Sequence, residues 1–378
     1  MKIAILTQPL STNYGGILQA WALQRVLRSM GHEPITVDRH YNLNSSLIRL
    51  YAGKTKRALQ NIIYRFRGET LYSENLAEIR GHQAKFIDSN IHRTKPIFDD
   101  QALRQYFSKS RFDAVVVGSD QVWRPKYAPR LETYFLDFLY DDQIDIPTKV
   151  SYAASFGVSE WEYSECQTKV CKQLIKNFDA VSVREKDAVA LCQKHFDVSA
   201  SMVIDPTLLV NKQDYISEFC QEGAQNSKGV LTYLLDSTGF KQEVKDAVAR
   251  SLGEECFSRQ AASPEQLIKI NQLDNYCYPP TNEWVEGFHQ SKFVVTDSFH
   301  GVVFSLIFEK PFIAIVNPGR GAARFESLLE LVGLKDRLLY PDAKYDIDKL
   351  VEPIDFDDVR RRLDSLQESS FKFLRQYL

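Results

Sequence analysis

Short apolar runs alternate along the chain with stretches whose apolar positions recur every third or fourth residue, and polar, glycine-containing turns separate the two kinds. Runs fit strands and spaced stretches fit helices, because side chains alternate across a strand and return to one face of a helix after about 3.6 residues. KIAILTQ at the start predicts a strand, Asn13-Tyr14-Gly15-Gly16 a turn, and ILQAWALQRVLRSM an amphipathic helix with Leu18, Ala22, Val26 and Met30 on one face and Gly31 as its stop. PITVDRH predicts the second strand, and DAVVVGSD, KVSYAASFG, AVSVRE and SMVIDP predict others. The polar segment Asn211 to Lys228 reads as a boundary. VLTYLLD, FVVTDS and PFIAIVN form a second set of strands, and charged, helix-like sequence closes the chain. Strands alternating with helices imply an α/β protein with parallel sheets. The expected architecture is two Rossmann-like domains facing a cleft, an arrangement that suits enzymes joining a phosphorylated donor to an acceptor, with residues 1–215 expected on the acceptor side and residues 228–378 on the donor side.

Composition narrows the function. The chain has 378 residues, 44% of them hydrophobic, which is enough for two cores. A net charge of −2 argues against nucleic acid as the main partner. Cys166, Cys171, Cys192, Cys220, Cys256 and Cys277 form no CxxC pair, and no His/Cys cluster has zinc spacing, so no metal is expected. MKIAILTQPL reads as a first strand and not as a signal sequence, because its apolar run is short and flows into a polar turn. Scattered cysteines point to a reducing cytoplasm. No run approaches the roughly 20 apolar residues of a membrane span. One stretch, Arg49 to Gly68, departs from the average: Arg49, Lys54, Lys56, Arg57, Arg65 and Arg67 have no acid among them and interleave with apolar residues. It reads as a contact with an anionic membrane surface at its inner face, or equally as a helix packing its apolar side on the domain.

Candidate chemistry collects at strand ends, where open α/β sheets bind ligands. In TDSFHGVVFSLIFEKPFIAI, from Thr296 to Ile315, a strand ends in Thr296-Asp297-Ser298 and a helix opens around His300 and Gly301. The helix start offers free N–H groups to a phosphate, which makes Ser298 and Gly301 candidate donor-binding residues. Histidine as a side-chain type changes charge near neutral pH, so His300 suits proton transfer, with Asp297 placed in sequence to orient it; a packed core histidine is the plainer alternative. Asn13, Tyr14, Gly15 and Gly16 open the first helix and are candidates for the acceptor, although a tight turn needs no ligand to explain it. In GSDQVWRP, Asp120 could take a proton from a hydroxyl or merely cap the next turn, and Trp123 reads as core or cleft wall. Ser155 and Gly157 end another strand. Arg184 in SVRE could grip a carboxylate or phosphate, or pair with a nearby acid. Arg320 and Arg324 in NPGRGAARFE suggest an anion-binding loop, or a solvated one.

The ordered set NYGGILQAWAL, GSDQVW, SYAASFG, SVREKDAVAL, VIDPTLL and TDSFHGVVFSLIFEKPFIAI, from about Met1 to Leu338, resembles the polysaccharide pyruvyl transferase family. The resemblance implies a glycosyltransferase-B-like fold, phosphoenolpyruvate as donor with no other cofactor, and a sugar acceptor that receives pyruvate as a cyclic ketal on two hydroxyls. It implies His300 as the acid/base, Arg184 as a donor ligand and a role for Asp120. Such a reaction needs an acid/base, cations for the donor and a helix N-terminus for departing charge. The acceptor would belong to a cell-surface polysaccharide precursor such as a capsule or exopolysaccharide unit, and a lipid-linked one would give the basic stretch a purpose. The competing readings are a nucleotide-sugar-dependent glycosyltransferase of the same fold, and a non-catalytic protein that binds glycan or membrane surface.

Overall fold

The computed structural model of the chain describes residues 1–41, 64–65, 67–139, 144, 146–221, 228–317, 321–341 and 343–378. The first sheet contains β1 (Lys2–Leu6), β2 (Glu33–Thr36), β4 (Ala114–Val117), β5 (Thr148–Ala154), β6 (Ala180–Val183) and β7 (Ser201–Met202), all parallel, in the order β2-β1-β4-β5-β6-β7. The second contains β8 (Lys228–Tyr233), β9 (Cys256–Ser258), β11 (Ser291–Thr296), β12 (Phe312–Ile315) and β13 (Leu338–Leu339), also parallel, in the order β13-β12-β11-β8-β9. Strands covered on both faces read as continuous apolar runs. AVVV, AVSV and FIAI are accordingly buried at every position. The fold is that of two Rossmann-like halves.

Each sheet has one place where the order of its strands reverses, between β1 and β4 in the first and between β8 and β11 in the second. Ligands of open α/β sheets bind outside the carboxyl ends of the strands at these points. Both reversals in this chain open on the same crevice.

The last strand of the first sheet ends at Met202 and the first of the second sheet begins at Lys228, and segments of each half pack on the other. β3 (Glu69–Leu71) pairs antiparallel with β10 (Leu267–Lys269), tying the first half to the second. The closing helix, Phe356–Tyr377, returns to the first half. There Ile204 N donates to Ser370 Oγ at 3.1 Å and Gln367 Nε2 to the Leu208 carbonyl at 2.6 Å.

The first helix runs from Tyr14 to Ser29, three residues longer at its start than the sequence pattern predicts. Tyr14-Gly15-Gly16 is its first turn, not a connecting loop, and Asn13 holds the N-cap position without a side-chain bond. Its buried residues occupy most of its circumference, because it is covered by the sheet on one side and by Tyr215 and Phe219 against Trp21 on another. The polar segment after Asn211 contains a helix, Lys212–Phe219. Among the described residues no helix is long and apolar enough to cross a membrane. Of the basic stretch, Arg49, Lys54, Lys56 and Arg57 lie outside the described residues, as does Arg320.

Candidate active site

The turns after β1, β4, β8 and β11 enclose a cavity of about 570 Å³. The first half contributes Gln8, Ser11, Thr12, Asn13, Tyr14, Asp120 and Gln121 to its wall; the second contributes Leu235, Asp297, Ser298, Phe299, His300 and Arg324. Amides and hydroxyls thus face a wall that carries an imidazole and a guanidinium. A larger hollow of about 780 Å³ lies between the helices Lys186–Leu191 and Ala323–Leu331, lined by Val189, Ala190, Met202 and Leu331. Its wall is apolar, and its rim carries the exposed Lys186–Glu330 pair. Acid–base chemistry therefore belongs to the smaller cavity.

His300 sits in the first turn of the helix Phe299–Ile307, 5% exposed, at the cavity wall. Its ring crosses to the first half. A Cβ placed on Gly15 would come within 2.0 Å of its Nδ1. Nε2 stands 3.6 Å from Asp205 Oδ2. Asp297, the sequence candidate for orienting the ring, points elsewhere: it accepts from Leu235 N at 2.7 Å and from Lys241 Nζ at 2.6 Å. The carboxylate beside the ring is Asp205, which the sequence pattern did not single out.

Asp120, Arg184, Asp205 and Arg324 form one buried charged cluster. Arg184 Nη1 donates to Asp205 Oδ2 at 2.5 Å and Nη2 to Asp120 Oδ1 at 3.2 Å. The guanidinium lies over the Phe299 ring at 4.6 Å, with Arg324 over the same ring at 5.3 Å. Arg324 Nη1 reaches Asp120 Oδ1 only at 4.0 Å, and it is Arg324, not Arg184, that lines the cavity. Burial alone would raise both carboxyls, yet His300 and Arg184 beside Asp205, and Arg184, His300 and Arg324 beside Asp120, hold them below the ordinary range. Burial disfavours the charge on Arg184, but its two acids outweigh this and it stays protonated. Burial and repulsion from Arg184 push Arg324 down to about 10. An anion in the cavity that Arg324 lines would offset this repulsion.

Ser298 holds the N-cap of the His300 helix, lines the cavity and makes no capping bond. No acidic residue sits in that first turn, so its N–H groups are suited to negative charge. Gly301 packs inward: a Cβ there would meet Thr296 Oγ1 at 2.1 Å. Gly15 makes room for His300, and Gly16 faces the Asn13 side chain. Tyr14 lines the cavity, but its hydroxyl is committed to the Pro279 carbonyl at 2.6 Å, and burial raises its phenol far above the ordinary value. Asn13 is exposed at the cavity wall. Trp123 is core, 0% exposed. Ser155 donates to the buried Glu185 at 2.9 Å, and Gly157 abuts Gly321 of the other half, so that turn joins the halves.

The fold has known counterparts. The chain is 12% identical to the glycotransferase of kitacinnamycin, with 100% of this chain and 99% of that one covered and a TM-score of 0.53. A glycosyltransferase from Rickettsia africae ESF-5 gives 10% identity, coverage of 98% and 93%, and a TM-score of 0.53. S. aureus MnaA with UDP gives 13%, 97% and 87%, and 0.51. Identities this low show the fold alone, which is glycosyltransferase-B-like. No curated protein matches the sequence. The sequence pattern of the polysaccharide pyruvyl transferases matches residues 13–319, a span that holds His300, Arg184, Asp120 and Asp205. The chain belongs to the polysaccharide pyruvyl transferase family.

Proposed function

We propose that the protein transfers the enolpyruvyl group of phosphoenolpyruvate onto two hydroxyls of a sugar in a cell-surface polysaccharide precursor, forming a cyclic ketal and releasing phosphate. The observation that carries this reading is the cavity wall: His300, Arg324 and an uncapped helix N-terminus face amides and hydroxyls of the other half across one space. An anionic donor fits the first set and a polyhydroxyl acceptor the second. His300 gives a proton to the donor's methylene carbon, leaving an oxocarbenium-like centre at the carbon that bears phosphate. One acceptor hydroxyl attacks that centre and its proton returns to His300. Phosphate departs as hydrogenphosphate, taking a proton, and the second hydroxyl closes the ring and loses its own. Arg324 and the helix start at Ser298 hold the donor's carboxylate and phosphate and receive the departing charge. Arg184, committed to Asp120 and Asp205, serves by holding the cluster together.

The test supplies phosphoenolpyruvate and a panel of lipid-linked and nitrophenyl sugars, and follows phosphate release together with a gain in product mass. His300→Ala is expected to remove turnover, a loss on the order of 10²–10⁴-fold, while the donor still binds. A sugar arriving from a nucleotide donor, with no pyruvate arriving from phosphoenolpyruvate, would overturn the reading in favour of a glycosyltransferase.

A further inference from the structure

The two nitrogens of the His300 ring have different surroundings. Nε2 is sealed from solvent and makes no hydrogen bond among the described residues. The acid it faces is Asp205, with Oδ2 at 3.6 Å. The edge carrying Nδ1 runs over Gly15, and the residue as a whole opens on the cavity. With Nε2 enclosed, Nδ1 is the nitrogen left to exchange a proton with a substrate.

The Asp205 carboxylate is fixed before His300 meets it. Its Oδ1 accepts from Thr207 N at 3.1 Å and Thr207 Oγ1 at 2.7 Å, which caps the turn Pro206–Leu209. Its Oδ2 accepts from Arg184 and remains turned to the imidazole. One oxygen does the local capping that Asp-Pro predicts, and the other does something that no local rule explains. The charged groups around the ring are Asp205 and Asp120 from the first half, Arg184 at the end of β6, and Arg324 from the helix Ala323–Leu331. These are two anions and two cations, and among the described residues Asp205 is the acid that comes within 4.0 Å of the ring.

We propose that Asp205 is the positioning residue for His300: its carboxylate holds the proton on Nε2, so that Nδ1 is the acid–base atom presented to the donor. The proposal rests on the reading of His300 as acid/base. At 3.6 Å the pair is longer than a hydrogen bond, as catalytic contacts often are before substrate binds. Asp205 belongs to the first half and His300 to the second, so the acid is oriented only when the halves are docked.

The experiment uses the full chain labelled with ¹⁵N-histidine, with the His300 signals assigned by their loss in His300→Gln. The neutral ring is expected to carry its proton on Nε2 in the unaltered protein and to lose that preference in Asp205→Asn. Removing the carboxylate disfavours the protonated ring, so the high-pH limb of the rate profile moves to lower pH in Asp205→Asn. Turnover falls on the order of 100-fold, with the phosphoenolpyruvate KM changed less than about 3-fold. Thr207→Val keeps the carboxylate while removing one donor to it, and is expected to lower turnover less than about 10-fold with the limb in place. A proton found on Nδ1 in the unaltered protein, or an Asp205→Asn limb that coincides with the original, overturns the proposal. The tautomer is read without turnover, so a proton on Nδ1 in the unaltered protein, or a preference unchanged in Asp205→Asn, overturns the role of Asp205 even where no phosphate is released and the proposed function fails.

Discussion

After β1 the chain passes through polar residues into a helix that opens with Tyr14-Gly15-Gly16; after β11 it passes through Asp297 and Ser298 into one that opens with Phe299-His300-Gly301. Both turns stand at a reversal of strand order, and both helices start without a side-chain cap. Their contributions are opposite. The second turn supplies a reactive ring, and the first supplies the absence of a side chain where that ring must lie, since a Cβ on Gly15 would sit 2.0 Å from Nδ1. The comparison teaches that neither half holds the site. A glycine in one and a histidine in the other are two parts of a single feature.

The sharpest way to break that comparison is to fill the space. Gly15→Ala must displace the imidazole from its place, and a displacement of an ångström at a reacting group costs on the order of 100-fold in turnover. Gly16→Ala, one residue on, meets only the Asn13 Nδ2 at 3.2 Å, the end of an exposed side chain that can move. It is expected to keep activity within about 2-fold and to gain up to about 1 kcal/mol from helix propensity. Steady-state kinetics and thermal unfolding of the pair decide the matter. Equal losses in both variants would mean that the helix start itself, and not the space for the ring, is what matters.

The two arginines over Phe299 offer a second comparison. Arg184 is the sole cation within hydrogen-bond distance of both Asp120 and Asp205 among the described residues. Arg184→Ala leaves two buried carboxylates without it, at a cost of about 3–5 kcal/mol. Both carboxyls are held below their ordinary values in the folded protein, so their stabilisation is present above the usual carboxylate range and is lost as pH falls through the lowered values. Acid unfolding of Arg184→Ala is therefore expected at higher pH than that of the unaltered protein. Arg324→Ala removes a charge that burial and Arg184 oppose, so stability stays within about 1 kcal/mol while the phosphoenolpyruvate KM rises roughly 10- to 100-fold. A donor KM more sensitive to Arg184 than to Arg324 in a stable variant would reverse these assignments.

These pairs also mark how far sequence reasoning reaches. The His300 turn was legible because strand, cap and helix are local and follow one another in TDSFHGVVF. Arg184 was legible as a cation at a strand end, but its two partners depend on where the turns after β4 and β7 lie, which no spacing encodes. Asp205 escaped notice for a related reason: Asp-Pro before an apolar turn has a sufficient local explanation, and its second oxygen acts on a ring from the other half. Asp297 was the natural partner by proximity in sequence, and Lys241 and Leu235 drew it away. The three-residue strands β3 and β10 carry too little periodicity to be seen, yet they fasten one half to the other.

The smallest effect expected concerns two neighbouring acids that titrate in opposite directions. Asp205 is held low, whereas burial raises the Glu185 carboxyl in spite of Arg184, Gly157 N and Ser155. Glu185 Oε1 accepts from Ser155 Oγ, Phe156 N at 2.8 Å and Gly157 N at 3.0 Å, while Oε2 is sealed without a hydrogen-bond partner among the described residues. A folded carboxyl that binds its proton more tightly than the unfolded one makes the protein more stable as pH falls toward the ordinary glutamate range. Glu185→Gln keeps an oxygen for the same three donors and removes the charge. Compared with the unaltered protein, the variant should therefore gain less stability as pH falls toward the ordinary glutamate range, a difference of a few degrees in melting temperature, roughly. If Glu185→Gln instead melts lower by the same amount at every pH, the carboxylate is needed as a charge between Arg184 and Arg324, and the turn that meets Gly321 is held by electrostatics and not by its hydrogen bonds.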